Sequence, residues 1–418
     1  MSNPIGFGIA AALALTSAAL AGGNDDGVKN NKNEPSTPPQ DGVTVTAAPG
    51  KGITFRGENY DLNLVNMIQA NFGYTGSDSG PDTLGVSIRR ARTRLMGSAY
   101  KDTVHFVLQF EWADRQTSDI NDALITWDLY KAENYEMSLR FGQGKTLFGT
   151  EWTGTAYGLE FVDRALATQV FSATRTRQAQ LVGKIGGGNL RWNAGLMNGD
   201  VAQSSIGAGV EDNNNGGTEL NWILGVAYGS GQDKLYGEFR EQGALQRADE
   251  PMWVANAAIS YGANDSNDVG GREYNALSLN GGGAFYTGNL HFLGEVFIRD
   301  EDADNTTLAG ESTAFGWQAS GSYTAEPGPT IQWAYGLRLS GVHVSDYTAT
   351  GGAALPILVT GLGGEGNILE LSAMATAYYF GHNLKTQFGY TFRSFDPDTA
   401  SVPDPNVHTF EVQSQIVF

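Results

Sequence analysis

The chain has 418 residues, a formal net charge of −19 at pH 7 and no cysteine. The acidic balance argues against a nucleic-acid partner, and the absence of thiols fits passage through an oxidising compartment. Glycine is abundant (56 residues), whereas only 17% of residues are charged. This composition argues against an ordinary soluble chain of two or three domains.

The first 58 residues are predicted to lie outside the folded body. An apolar stretch from Ile5 ends in Ala19-Leu20-Ala21, which is typical of a cleavable signal peptide over residues 1–21, although no Lys or Arg precedes it. Residues 22–58 are largely polar, contain Pro and lack periodicity for most of their length. They are predicted to form a disordered periplasmic leader.

From residue 59 to the C-terminus, apolar and polar residues alternate. The first such stretch places Leu62 and Leu64 on one face, and the last one places Val412, Ile416 and Phe418 on one face. After the first two dozen residues, no apolar run approaches the roughly 20 residues of a spanning helix. Because lipid tolerates only helices and closed barrels, residues 59–418 are predicted to form an all-β transmembrane antiparallel β-barrel.

The connections between these stretches alternate between tight turns and long loops rich in Gly, Asp and Asn, which is the outer-membrane pattern. A soluble β-sandwich is the alternative, but its strands are shorter. Seventeen stretches read as strands, and a bacterial barrel needs an even number. Residues 252–261 have the cleaner apolar face, so they are favoured over residues 234–242. Sixteen strands are predicted, a size that leaves an aqueous channel.

Arginines recur at every second residue of one predicted strand. Arg90, Arg92 and Arg94 share a face, and each guanidinium would cost roughly 2–4 kcal/mol against lipid at mid-membrane. This face is therefore predicted to line the lumen, where guanidinium groups can replace part of an anion's hydration shell. The alternative is a structural network in which Glu111 and Asp128 neutralise these cations.

Further cations extend this pattern. Arg140 falls on a polar face of its strand. The connection between Lys145 and Arg175 is long, aromatic and rich in small residues, which favours a loop folded into the lumen over one exposed to the medium. Lys145, Arg164 and Arg175 are then expected near the constriction. The alternative is an ordinary surface loop packed on its neighbours.

Five segments together resemble the phosphate-selective porin O and P family of Gram-negative outer membranes. They are IRRARTRLMGSAYKDTVHFVLQFEW, SLRFGQGKTLFG, FVDRALATQVFSATRTRQAQLVG, RWNAGLMNGD and TFEVQSQIVF. The resemblance implies a trimeric sixteen-stranded porin with an inward third loop and an arginine-lined lumen that passes phosphate or related anions. The positions that match the motifs are Arg89, Arg90, Arg92, Gln143, Lys145, Arg164 and Arg175.

The chain departs from the family pattern at two places. Arg175 is followed by Thr176 where the family often has a second arginine, and Arg177 is expected to face outward. Thr146 and Leu147 replace the usual Pro and Phe after the Gly-Gln-x-Lys motif. These departures bear on phosphate selectivity more than on family membership.

The predicted function is passive diffusion of small anions, phosphate or related oxyanions, through a homotrimeric porin embedded in outer-membrane lipid. A general or cation-preferring porin and a structural or adhesive barrel are the alternatives. The five histidines stand in no nucleophile or metal motif, so no enzymatic activity, catalytic residue, metal or cofactor is predicted.

Overall fold

The computed structural model describes residues 42–113, 119–172, 175–198, 220–230, 235–237, 240–266, 272–303, 310–346, 365–398 and 405–418. The predicted signal peptide and most of the predicted leader lie outside these residues. In the described chain no helix is long and apolar enough to cross a membrane.

Nearly all of the described chain is β-strand. The strands are β1 Thr44–Ala48, β2 Gly52–Arg56, β3 Tyr60–Ser77, β4 Gly80–Ala99, β5 Val104–Glu111, β6 Asp119–Ala132, β7 Tyr135–Gly144, β8 Thr176–Ile185, β9 Leu190–Asn198, β10 Asn221–Gly229, β11 Ala248–Ser266, β12 Arg272–Gly288, β13 Leu290–Ala303, β14 Gly310–Thr324, β15 Gln332–Ser345, β16 Gly366–Tyr378, β17 Leu384–Pro397 and β18 Asn406–Val417. Two short helices, α1 (Thr150–Thr153) and α2 (Leu166–Phe171), lie between β7 and β8.

Strands β3 to β18 form a closed antiparallel barrel of sixteen strands, as predicted. Each strand pairs with the next along the chain, and β18 pairs back onto β3 from Val407 opposite Ser77 to Val417 opposite Met67. Residues 252–261 lie within β11, which pairs with both β10 and β12. The choice of this stretch over residues 234–242 is therefore confirmed.

The two faces of the strands differ as the alternation predicts. On β10, Trp222, Leu224 and Val226 are exposed whereas Ile223 and Ala227 are buried. Exposed large apolar residues recur on the outward face of the other strands, and the inward face carries many buried polar side chains. An outward apolar face with a polar interior is the organisation of a barrel whose solvent is lipid.

The predicted leader needs a correction between residues 44 and 56. Strands β1 and β2 pair as a hairpin, and β2 continues the sheet on β3 from Ile53 opposite Leu64 to Arg56 opposite Asp61. Residues Thr44–Arg56 contain Thr, Val, Ile and Phe at strand-like spacing. These β-branched and aromatic residues favour pairing wherever a free strand edge is available. The part of β3 beyond the end of β18 offers such an edge.

One end of the barrel carries short connections, which we call the short-turn end. Most of its connections run from one residue (289) to seven (325–331), and the β10–β11 connection, residues 230–247, is the exception. Porins turn their short connections to the periplasm and their long ones to the outside.

Candidate functional site

A β-bulge in β4 brings two adjacent arginines to the inward face. Gln69 pairs with Arg90 and the next residue of β3, Ala70, pairs with Ile88, so Arg89 is the extra residue. Strict alternation put Arg89 on the outward face, and the bulge overturns this because one extra residue reverses the alternation locally. Arg89 contacts the Asp163 carboxylate and lies 3.3 Å from that of Glu411.

Arg90 follows on the same side of the strand. Its guanidinium donates to Gln69 Oε1 at 2.8 Å and lies 3.6 Å from Asp163 Oδ1. Asp163 therefore contacts both arginines of the bulge. Burial opposes ionisation of Asp163, but Arg89 and Arg90 together hold the pKa of its carboxyl below the usual range. The alternation of apolar and polar residues gives no signal for Asp163, because this residue lies in a connection and not in a strand.

The next two arginines of β4 line a cavity of about 70 Å³. Arg92 and Arg94 share this cavity with Lys145, Arg175 and the carboxylate of Asp122. Four cations thus face one carboxylate among the lining residues. Even with the Glu111 carboxylate that contacts Arg92, the cationic groups around this cavity outnumber the carboxylates.

Carboxylates contact Arg92 and Arg175 of this cavity directly. Arg92 Nε lies 2.5 Å from Glu111 Oε2, and Arg175 Nε lies 2.6 Å from Asp122 Oδ1. Of the two carboxylates named in the alternative structural network, Glu111 contacts Arg92, whereas Asp128 contacts His105 and Ser138. Asp122 was missed, although it has the same-face spacing from Asp128 and the alternation could have identified it.

Lys145 is held by the backbone of the β7–β8 connection. Its ammonium donates to Trp152 O at 2.9 Å and to Gly154 O at 2.7 Å, and it lies over the Trp152 ring. Burial lowers the pKa of Lys145 well below its usual range, and Arg164 and Arg175 lower it further by charge repulsion. An anion nearby would oppose this shift.

Arg164 lies beside Lys145 and shares one of its acceptors. It donates to Gly154 O at 3.0 Å and packs over the Trp152 ring. Burial lowers the pKa of Arg164 to about 10, against the opposing charges of Glu151 and Asp163. Arg164 therefore joins the cluster formed by Lys145 and Arg175.

The remaining predicted residues have different surroundings. Arg140 lies on β7 opposite Thr126 and Gln180, and it is absent from the lining of the cavities described here. Gln143 donates to Ile120 O at 2.7 Å. Arg177 is exposed, as expected from its outward register.

A second cavity of about 180 Å³ lies beyond Arg164 and Asp163. Its lining includes Arg338 and Arg393, both of which contact Glu370, at 3.2 and 2.8 Å respectively. Arg89 and Glu411 line the same cavity. Charged groups of both signs therefore line this second space, whereas the first cavity is dominated by cations.

The β7–β8 connection contacts the inward faces of the opposite strands. Ala167 N donates to Ser340 Oγ at 3.0 Å, and Gln318 donates to Glu151 at 3.2 Å. A cluster of buried apolar residues joins α2 to these strands. A Cβ at Gly316 would come within 2.4 Å of the Phe171 ring, so this glycine provides the space in which α2 packs.

No group of His, Asp and Glu in the described part of the chain could hold a metal ion. His105, His291, His343, His382 and His408 lie on separate strands or turns. His291 contacts Glu160 at 2.7 Å and His382 contacts the Gln242 carbonyl at 2.7 Å. These two histidines take part in structural networks of the interior.

A closed sixteen-stranded antiparallel barrel with an apolar exterior is the architecture of outer-membrane porins. Residues 63–233 match the model of the family "Phosphate-selective porin O and P". This match confirms the resemblance to that family over the part of the chain that contains the arginine strand and the β7–β8 connection. No curated protein sequence matches the chain.

Solved porin structures share the fold at low sequence identity. The outer membrane channel DcaP of Acinetobacter baumannii matches with a TM-score of 0.59 and 13% identity, over 88% of this chain and 100% of that one. An anion-selective porin from Comamonas acidovorans gives 0.55 and 12%, over 86% and 100%. The trimer form of OmpT from Vibrio cholerae gives 0.50 and 10%, over 86% and 100%.

Proposed function

We propose that this porin passes small anions, phosphate or related oxyanions, by passive diffusion through an arginine-lined lumen. The observation that carries the proposal is the cavity in which Arg92, Arg94, Lys145 and Arg175 face the single carboxylate of Asp122. Guanidinium groups bind oxyanions through paired N–H donors, and the Lys ammonium acts as a point charge beside them.

We infer that residues 145–175 lie inside the barrel and narrow it at this cavity. The hydrogen bonds of this connection to β13–β17, together with the packing of α2 under Gly316, support the inference. Lys145 and Arg164 then come from the loop, and Arg92 and Arg94 come from the opposing wall. A solute that crosses the constriction meets cations from both sides.

The bilayer reversal potential tests the sign of the selectivity. In a gradient of potassium chloride across a planar bilayer, the reversal potential is expected to have the sign that indicates a higher permeability for chloride than for potassium. Added phosphate is expected to block the chloride current. Arg92→Ala with Arg94→Ala is expected to weaken both properties. Arg247→Ala is the matched control, because Arg247 is exposed and pairs at 3.6 Å with Glu326, which is also exposed.

The ion pairs Arg92–Glu111 and Arg175–Asp122 favour a second candidate, a general or cation-preferring pore whose cations stiffen the wall. In that case the double variant lowers stability and leaves the reversal potential unchanged. A homotrimer embedded in outer-membrane lipid is also proposed. The apolar outward face supports the lipid, and the trimer form among the similar structures supports the assembly. Cross-linking of the protein in native membranes tests the trimer.

A further inference from the structure

The β10–β11 connection is long and buried at an end of the barrel where the other connections are short. Among its described residues, Leu235, Tyr236, Arg240, Gln242 and Ala244 are each less than 5% exposed. A turn that simply joined two strands at the rim would be exposed. Burial of this degree means that other parts of the chain surround the connection.

Part of that surrounding is the β7–β8 connection. Arg240 donates to Thr150 O at 3.1 Å, and Gln242 N donates to Gly158 O at 2.7 Å. Glu160 N in turn donates to Gln242 Oε1 at 3.1 Å. Two connections that start from opposite ends of the barrel therefore meet and exchange hydrogen bonds between residues 150–160 and residues 240–242.

The other part of the surrounding is the inward face of the wall. Tyr286 donates to Gly243 O at 2.8 Å, and Gln332 donates to Leu245 O at 3.1 Å. Leu245 packs against an apolar cluster that contains Phe161 and Tyr378. Residues 240–247 thus reach from β12 (Arg272–Gly288) to β16 (Gly366–Tyr378) across the interior.

The charges of the connection are consistent with this placement. Burial lowers the pKa of Arg240, and the carboxylates of Glu151, Glu295 and Glu160 are near enough to favour its charged form. His291 Nε2 lies 3.4 Å from Arg240 Nη2. A buried guanidinium requires such partners, because an unpaired buried charge is strongly destabilising.

We propose that residues 240–247 form an internal strap, which enters the barrel from the short-turn end and closes its β12–β16 side. The cationic cavity is lined instead by residues of β3 to β6, by residues between 145 and 157, and by Arg175 and Val417. At the short-turn end, solutes therefore pass along the β3–β6 side, and the second cavity lies on the other side of the strap from that end. The identity of the solute rests on the proposed function, whereas the obstruction itself does not.

The strap also positions the cations of the constriction. Arg240 and Gln242 hold residues 150–160, and within that stretch Gly154 O accepts from both Lys145 and Arg164. Arg240 does not line the cavity, so it is a positioning residue. Loss of its contacts is expected to loosen the loop together with the two cations that the loop carries.

A disulfide can tie the strap to the loop reversibly. A Cβ built on Gly154 lies 3.7 Å from the Arg240 Cβ, within the 3.5–4.5 Å range of disulfides. The natural chain has no cysteine, so Gly154→Cys with Arg240→Cys offers one possible bond. Each single substitution serves as a control that contains a thiol and cannot form the intramolecular bond.

Single-channel recording of this double variant, before and after addition of a thiol reductant, tests the strap. In the reduced channel, current steps to higher conductance are expected to be at least about tenfold more frequent than in the oxidised channel, because the charge-assisted hydrogen bonds of Arg240 are lost. In the oxidised channel, these current steps are expected to be as infrequent as in the natural protein. The single variants should not respond to the reductant.

Two results overturn the strap. One is a double variant that assembles in the membrane but forms no disulfide, since the two segments are then not adjacent. The other is a formed disulfide whose reduction leaves conductance and its fluctuations unchanged. The reversal potential of the same channels reports ion sign separately, so failure of the anion proposal is distinguished from failure of the strap.

Thiol accessibility gives an independent measurement that does not depend on Arg240. Ala244→Cys places a thiol at a buried strap position, and Gln246→Cys places one at an exposed position two residues away. A charged methanethiosulfonate reagent added from the short-turn side is expected to react with the second at least about tenfold faster, because burial excludes it from the first. Equal rates overturn the buried placement.

Discussion

Replacement of Lys145 by Gln is the substitution that bears most directly on anion binding. The ammonium has three N–H donors, and Trp152 O and Gly154 O accept two of them. The third has no acceptor among the residues that the structure describes and can therefore reach a solute in the cavity. A hydrogen bond to a charged group contributes about 1.5–3 kcal/mol, so the phosphate concentration that halves the chloride current is expected to rise about tenfold or more.

The assay is a phosphate titration of chloride current through single channels in a planar bilayer. Lys101→Gln is the matched control, because Lys101 is an exposed residue of the tight turn between β4 and β5. Lys145→Arg should retain most of the block, since the charge is kept. A Lys145→Gln channel with normal assembly and a half-blocking concentration within about twofold of the natural protein would refute a solute contact at Lys145.

Four further predictions follow from the same geometry. Because the pKa of Lys145 is lowered, raising the pH should deprotonate it before an ordinary lysine, and block by sulfate should weaken with rising pH in the natural channel but remain flat in Lys145→Gln. Asp163→Asn should lower the free energy of unfolding by about 1 kcal/mol at neutral pH. The pKa of Asp163 is depressed in the folded state, so the carboxylate stabilises the protein at pH values above the usual Asp pKa and loses this effect on acidification. Denaturant titrations of the variant and the natural protein should therefore converge at low pH. Gly316→Val should collide with Phe171 and destabilise the barrel by about 1–3 kcal/mol, whereas Gly294→Ala, which has only ordinary contacts, should be tolerated. Leu337 lies on an outward face and is 63% exposed, so Leu337→Arg should lower the free energy of unfolding in vesicles by about 2–4 kcal/mol. Leu84→Arg, near the end of β4, should lower it by about 1 kcal/mol or less.

The strand choice at residues 252–261 illustrates what local pattern can reveal. Trp253, Ala255 and Ala257 alternate with inward residues, and they occupy a spanning strand. Residues 234–242 also read as a strand, but part of that stretch lies in the buried connection that contains Arg240 and Gln242. Alternation proposed both stretches as strands, and the even strand number of a barrel together with the cleaner apolar face of residues 252–261 separated them.

The bulge at Arg89 marks the limit of alternation within a strand. A single extra residue reverses the face of every residue beyond it relative to those before it, and its position depends on how β3 and β4 pair. The motif resemblance included Arg89 among the functional positions, whereas the period-two reading placed it outward. The register of the neighbouring strand was needed to reconcile the two.

The sequence by itself determined the barrel, the number of its strands, the inward and outward faces of most strand residues and the cations of β4. A strand with a two-residue period in lipid turns its apolar side chains toward the lipid, and its backbone hydrogen bonds are satisfied only when the sheet closes. Only the tertiary structure decided which carboxylates meet those cations and where the β7–β8 and β10–β11 connections pack. These contacts join residues far apart in the chain, such as Arg240 with Thr150 and Phe171 with Gly316. They depend on the shape of the inner surface, which exists only once the sixteen strands have closed.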